Sequence, residues 1–168
     1  MNNTLAWIFE NINSLRHDDL MECVLMLGRV LEKSFYSGFT EKDYEGLLAP
    51  GLRFVKFDNS ELAAIERKLE EIYLKTKYDD IRGSAIWALG KSNTKESREI
   101  LKSFLLGGVN NAETGFQLAI ALEHAWPNLK SDLTPEELEE TTENLKQLGL
   151  FGNRVYEVVE RIIQGYYS

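Results

Sequence analysis

The chain has 168 residues, 43% hydrophobic and 27% charged, with 19 Lys+Arg against 27 Asp+Glu and a formal net charge of -8. That length suits one soluble globular domain, residues 1–168, whose core needs no covalent staple. The acidic balance argues against nucleic acid and anionic membrane as partners, because phosphate-binding surfaces need a basic excess, and it points to another protein, a basic one.

Leu5, Ile8, Phe9, Ile12 and Leu15 keep helical spacing behind Asn3 and Thr4 as caps, which predicts an amphipathic first helix. The opening MNNTLAWIFENINS has no basic segment followed by an apolar run, and no stretch reaches the roughly 20 apolar residues of a membrane span. A cytoplasmic location is the expectation. A second helix starts at Asp18 or Asp19 and runs through Leu20, Val24, Leu27 and Leu31. Cys23, the only cysteine, fits its apolar stripe as a small buried hydrophobe and excludes an intramolecular disulfide.

Residues 37–59 break the pattern as an irregular insertion. Thr40 and Asp43 suit a capping box for a short helix ending near Ala49, Pro50-Gly51 forces a turn, and LRFVKF from Leu52 to Phe57 reads as an extended connector. Insertions in repeat proteins map to loops on one face, often the binding face. Asp43, Tyr44 and Glu45 are therefore contact candidates, with Tyr44 expected to be partly exposed. Asp58, Asn59 or Ser60 then opens a helix with Leu62, Ile65, Leu69 and Ile72 inside and Glu66, Lys68, Glu70 and Glu71 outside.

The stretch from Asp79 to Leu106 organises the chain. Ile81, Ala85, Ile86, Ala88 and Leu89 form the stripe of a helix capped by Asp79 or Asp80 and closed by Gly90. Thr94 caps a second helix with Ile100, Leu101, Phe104 and Leu105 inside, and Gly107 and Gly108 supply left-handed stops. The two are expected to pair as an antiparallel hairpin that must stack on further helices. MLG at Met26 to Gly28 echoes ALG at Ala88 to Gly90. Asn110 or Asn111 caps a helix through Phe116, Ala119, Ile120 and Leu122, expected to stop at Pro127. Thr134-Pro135-Glu136-Glu137 spells out a capping box with proline in the first turn, Leu138, Leu145 and Leu148 follow, and Gly149 ends that helix. A last helix carries Val155, Val158, Val159, Ile162 and Ile163, stopped by Gly165 before Tyr166 and Tyr167, which could dock a partner or fold back as a cover.

Asp80, Ile81, Arg82, Ala85, Ala88, Leu89 and Gly90, followed by Ile100, Leu101 and Leu105, resemble a HEAT repeat of the short form found in phycobilisome-lyase-type proteins. The resemblance covers one repeat and implies an all-α, HEAT-like α-solenoid of antiparallel helix pairs or a compact relative of one. Such folds include bilin lyases and DNA glycosylases that remove alkylated bases. A glycosylase needs a basic groove with aromatics for the displaced base, and the net charge opposes it.

No phosphate-cradling glycine loop, nucleophile elbow or Cys/His metal set occurs, and His17 and His124 lie far apart without a second ligand at helical spacing. No cofactor, metal or catalytic residue is expected. Asp79 and Asp80 read as helix caps before they read as a catalytic pair. Glu136, Glu137, Glu139, Glu140 and Glu143 make the densest acidic face, which is either a solvated face beside a helix N-terminus or the receptor for a basic partner. Second helices of each pair usually line the concave side of a solenoid, so Lys95 to Lys102, with Glu96 and Glu99, join the contact candidates. Trp87, at the edge of its stripe, and Trp126, before Pro127, are aromatic candidates that packing would also explain.

Small, acidic and HEAT-like without catalytic residues, the chain is similar in general type to cytoplasmic immunity proteins of bacterial polymorphic-toxin and contact-dependent inhibition systems. That likeness implies a toxin inhibitor that occludes the active site of a basic nuclease domain. A general protein-binding adaptor or scaffold is the alternative, and the DNA glycosylase a further one.

Overall fold

A computed structural model describes residues 1–165, so Tyr166 and Tyr167 lie outside the described residues. Those residues are helical throughout their regular structure, with no strand among them. The helices gather into two compact units, Met1–Ser92 and the residues from Asn93 onward. The first unit carries 12 Lys+Arg against 15 Asp+Glu, a net of -3; the second carries 7 against 12, a net of -5.

Unit 1 contains α1 (Asn3–Asn11), α2 (His17–Phe35), the short α3 (Pro50–Arg53), α4 (Asn59–Lys75) and α5 (Asp79–Leu89), with single 3-10 turns at Ile12–Ser14 and Glu41–Tyr44. Helix α5 packs on α2 and α4. Ile81, Gly83, Ala85, Ile86, Ala88 and Leu89 are all buried, more than one stripe, as a helix covered on two sides requires. Its small residues set the approach: Ala88 lies where a Cβ on Gly28 of α2 would stand only 2.9 Å away. The MLG and ALG echo therefore marks a helix crossing inside unit 1.

Unit 2 contains α6 (Lys95–Gly107), α7 (Ala112–Asp132), α8 (Pro135–Gly149) and α9 (Asn153–Gln164). Helix α9 packs on α7 and α8, and α6 on the same two. The expected hairpin is thus divided, since α5 finds its partners in unit 1 and α6 in unit 2.

Several expectations hold at the level of single residues. Asp58, Thr94, Asn111 and Thr134 cap their helices, and the Thr134/Glu137 box closes in both directions; Asp58 forms a further box with Glu61 that was not anticipated. Gly108 has φ +78° and Gly165 is left-handed. Cys23 is buried.

Others are corrected. The side chain that caps α1 is that of Asn2, which accepts from the amides of Thr4 and Leu5. Asp79 and Asp80 sit one and two positions too late to cap α5, inside its first turn, where negative charge still favours the helix dipole. Gly107, expected as a left-handed stop, remains helical, whereas Gly90 closes α5 as expected, in right-handed backbone. The Thr40/Asp43 box forms but serves only a 3-10 turn. Pro50 opens α3, its fixed φ and missing amide being harmless in a first turn, so Leu52 and Arg53 are helical and only residues 55–58 run as an irregular connector. Lys33 Nζ holds that connector's entry by donating to the carbonyls of Leu52, Arg53 and Val55 at 3.1, 2.8 and 2.8 Å.

Helix α7 does not stop at Pro127; it continues to Asp132. Tertiary contacts beyond the proline outweigh the one lost helical bond. Leu129 is fully buried, and Arg98 of α6 donates to Asp132 at 2.8 Å. Glu66, expected outside, is fully buried and accepts from Ser92 Oγ.

At the start of α2, His17 lies between Asp18 (Nδ1 to Oδ1, 2.9 Å) and Asp80 of α5 (Nε2 to Oδ2, 2.7 Å), edge-on to Tyr78. Hydrogen bonding to Asp18, then to Asp80, raises its pKa above the ordinary 6.5. The stabilisation is fully present below pH 6.5 and fades as pH rises through the raised value. Asp80→Asn is expected to move the His17 titration, followed by NMR, back towards 6.5; an unmoved midpoint would show that the α2–α5 contact does not act on the imidazole.

Candidate protein-binding surfaces

In unit 2, the Thr134 cap fixes the start of α8 and so fixes which side its glutamates take. Thr141, Leu145 and Leu148 are buried, and this turns Glu136, Glu139, Glu140 and Glu143 outward, all exposed. Glu143 has a cationic neighbour, Lys146, at 3.7 Å. Glu137 is exposed too, but its carboxylate accepts from the Thr134 amide at 2.9 Å, and that bond, with help from Lys102 and Lys95, holds its pKa below the usual carboxylate range.

Lys102 of α6 joins the two acidic helices. Its ammonium lies 2.9 Å from Glu99 and 4.0 Å from Glu137. Glu99 is half-buried and Glu96 exposed on the same helix. The acidic residues anticipated on α6 and α8 therefore approach one another, with one lysine neutralising their meeting point and the remaining α8 glutamates facing solvent.

Trp126 is half-buried at a cavity of about 300 Å³ between α7, α8 and α9. Pro127, Leu138 and Ile163 supply its apolar wall. Its polar end is the bidentate pair of Arg161 with Glu123, at 2.7 and 3.1 Å.

In unit 1, Tyr44 is not the exposed aromatic expected of it. It is 3% exposed, its hydroxyl lies 3.4 Å from Glu32, and burial, followed by the Glu32 charge, pushes its pKa up to about 12. Glu32 is itself buried on α2 and accepts from Arg29 at 2.9 and 3.2 Å, with Lys91 at 3.1 Å. Burial works to raise the Glu32 carboxyl; the bonds from Arg29 and Lys91 outweigh it and leave its pKa below the ordinary range. The same two cations flank Trp87, at 5.0 and 5.2 Å from its ring centroid, which explains its half-buried position as a stacked residue at the edge of α5. Tyr44 and Trp87, far apart in sequence, thus meet through one carboxylate.

Asp43 and Glu45 are exposed on either side of Tyr44. The carboxylate of Asp43 is engaged by the Thr40 amide and hydroxyl at 2.6 and 2.9 Å, which lowers its pKa. Arg29, Glu32 and Lys91 were not anticipated. The available signal was Glu32 itself, which continues the Val24 and Gly28 line of α2 at four-residue steps and so stands where an apolar residue would.

Among the described residues, no cluster of three or more His, Cys, Asp or Glu is placed to hold a metal ion. None of the helices there is long and apolar enough to cross a membrane. No family model, curated protein or solved structure matches the chain.

Proposed function

We propose that the protein acts by stoichiometric binding of a basic protein, and that in its specific form it is an immunity protein that neutralises a toxin nuclease domain by covering its active site in the cytoplasm. The observation that carries this reading is the outward row Glu136, Glu139, Glu140 and Glu143 on a helix whose start a complete capping box fixes and whose opposite face, Thr141, Leu145 and Leu148, is buried. Four carboxylates on one face, on a unit of net charge -5, produce a directed negative field that speeds encounter with a positive surface and rejects a negative one. The half-buried Trp126, in the cavity it shares with Leu138 and Thr142 of α8, offers a separate apolar anchor of the kind that concentrates binding energy.

The test is to co-express the protein with the product of the gene immediately upstream, purify the two together and assay the partner's nuclease activity. A 1:1 complex with suppressed activity is expected. A complex with undiminished activity would remove the neutralising role and leave an adaptor.

A further inference from the structure

The insertion of unit 1 borders an open cavity of about 480 Å³, within the volume range of small-molecule sites. Its lining is unlike the rest of this acidic chain. Lys33, Arg53 and Lys56 bring three cations to it, and Glu41 is the one carboxylate.

Among the described residues, none of the three cations makes an ion pair within 4.0 Å of a carboxylate. Lys33 directs its ammonium to three backbone carbonyls. Arg53 stacks on Phe54 at 4.6 Å, and its Nε is shut off from solvent with no hydrogen-bond acceptor. Lys56 is exposed. Elsewhere in unit 1, Arg29, Lys68, Lys75, Arg82 and Lys91 each lie against a carboxylate. Three cations around one cavity with Glu41 as the single carboxylate beside them, in a unit richer in acid than base, are an arrangement that an incoming anion completes.

The aromatic residues specify more. Phe39 and Phe54 both line the cavity and are 51% and 60% exposed, a large apolar area to leave in water. Phe39 is held against Tyr44 with centroids 5.8 Å apart, so one wall is fixed to the core of the unit. Burial also pulls the Lys33 ammonium below its ordinary pKa, against the pull of Glu41; negative charge in the cavity would act in the same direction as Glu41 and favour the charged form.

We propose that this cavity binds a small organic anion, a phosphate or carboxylate carried on a planar ring, with Arg53 and Lys56 meeting the anionic group and Phe39 and Phe54 flanking the ring. The site belongs to unit 1 and does not depend on the acidic face of α8.

The test uses the isotope-labelled full chain and NMR titration with AMP, indole-3-acetate, adenosine and inorganic phosphate. AMP, indole-3-acetate or both should shift the amides of residues 33, 39–41 and 53–56, with half-saturation at or below about 1 mM. The first would assign a phosphate and the second a carboxylate. Adenosine and inorganic phosphate should each bind at least about tenfold more weakly. Lys56→Gln, at an exposed position, should weaken binding about fivefold, and Lys146→Gln in unit 2 should leave it unchanged. Failure of both ring-bearing anions to saturate by about 1 mM, adenosine binding as well as AMP, shifts confined to other residues, or an unaffected Lys56→Gln variant would each overturn the assignment.

Discussion

Gly28→Leu should destabilise unit 1 by about 3 kcal/mol, the largest loss expected of any single substitution on a helix surface here. A Cβ at Gly28 overlaps the ring of Trp87 and stands 2.9 Å from Ala88 Cβ and 3.0 Å from Ala88 Cα. Swinging the ring away would give up its contacts with Arg29 and Lys91, which lie 5.0 and 5.2 Å from its centroid. The backbone of α5 cannot retreat either, since Ile81, Ile86 and Leu89 are fully buried. Even Gly28→Ala should lose stability despite a helix-propensity gain of about 1 kcal/mol. Gly107→Ala gives the sign control: it is helical, and a Cβ there meets nothing within 4 Å, so that variant should gain stability. Urea unfolding reads all three. A Gly28→Ala variant as stable as the native chain would mean that α2 and α5 do not cross this closely.

Glu32→Leu should destabilise by about 2 to 3 kcal/mol. The carboxylate is 8% exposed and takes charge-assisted bonds from Arg29 and Lys91. Its removal leaves two cations around Trp87 without their counter-charge and leaves the buried Tyr44 hydroxyl without this acceptor. The loss stays below that of a fully buried pair because Arg29 and Lys91 keep about a third of their side-chain surface in water. Tyr44→Phe should lose under about 1 kcal/mol, its bond being long at 3.4 Å. The pair also predicts an acid response. The Glu32 carboxyl is depressed, so its contribution is present above the unfolded value of 4.5 and is lost as pH falls through the folded one. Glu71, held to about 2 by Lys68 and Lys75, behaves alike. Denaturation midpoints should therefore fall between pH 4.5 and about 2, with a smaller fall in Glu32→Leu.

What could be read in advance was whatever a few neighbouring residues decide. Capping at Asp58, Thr94, Asn111 and Thr134 is local hydrogen-bond chemistry, and three-to-four spacing places the stripes of α4, α6 and α9. Pro127 was misjudged because the contacts that carry α7 past it, Leu129 in the core and Asp132 on Arg98, come from other helices. Pairing failed similarly: Ala85 and Ala88 announce close approach but do not say to which helix, and the answer, Gly28, lies about 60 residues upstream.

The acidic row of α8 was legible as composition, and its outward direction follows from the Leu145 and Leu148 stripe, which is buried on the opposite face. The Glu32 cluster was not, because Arg29 and Glu32 of α2, Tyr44 of the insertion and Lys91 just past α5 meet only in the folded unit. The unpaired cations of Lys33, Arg53 and Lys56 were hidden likewise, inside a chain whose total charge points the other way.

The association rate with the upstream gene's product, measured by stopped flow across about 0.05 to 0.5 M salt, bears most directly on how the protein works. Native chain should associate fast at low salt and slow steeply as salt rises. Glu136→Gln, Glu139→Gln, Glu140→Gln and Glu143→Gln combined should lower the low-salt rate about tenfold or more and flatten the salt dependence, with the thermal midpoint little changed because all four side chains are exposed. Equal rates and equal salt slopes for the two proteins would contradict a role for the α8 face in capturing a basic partner.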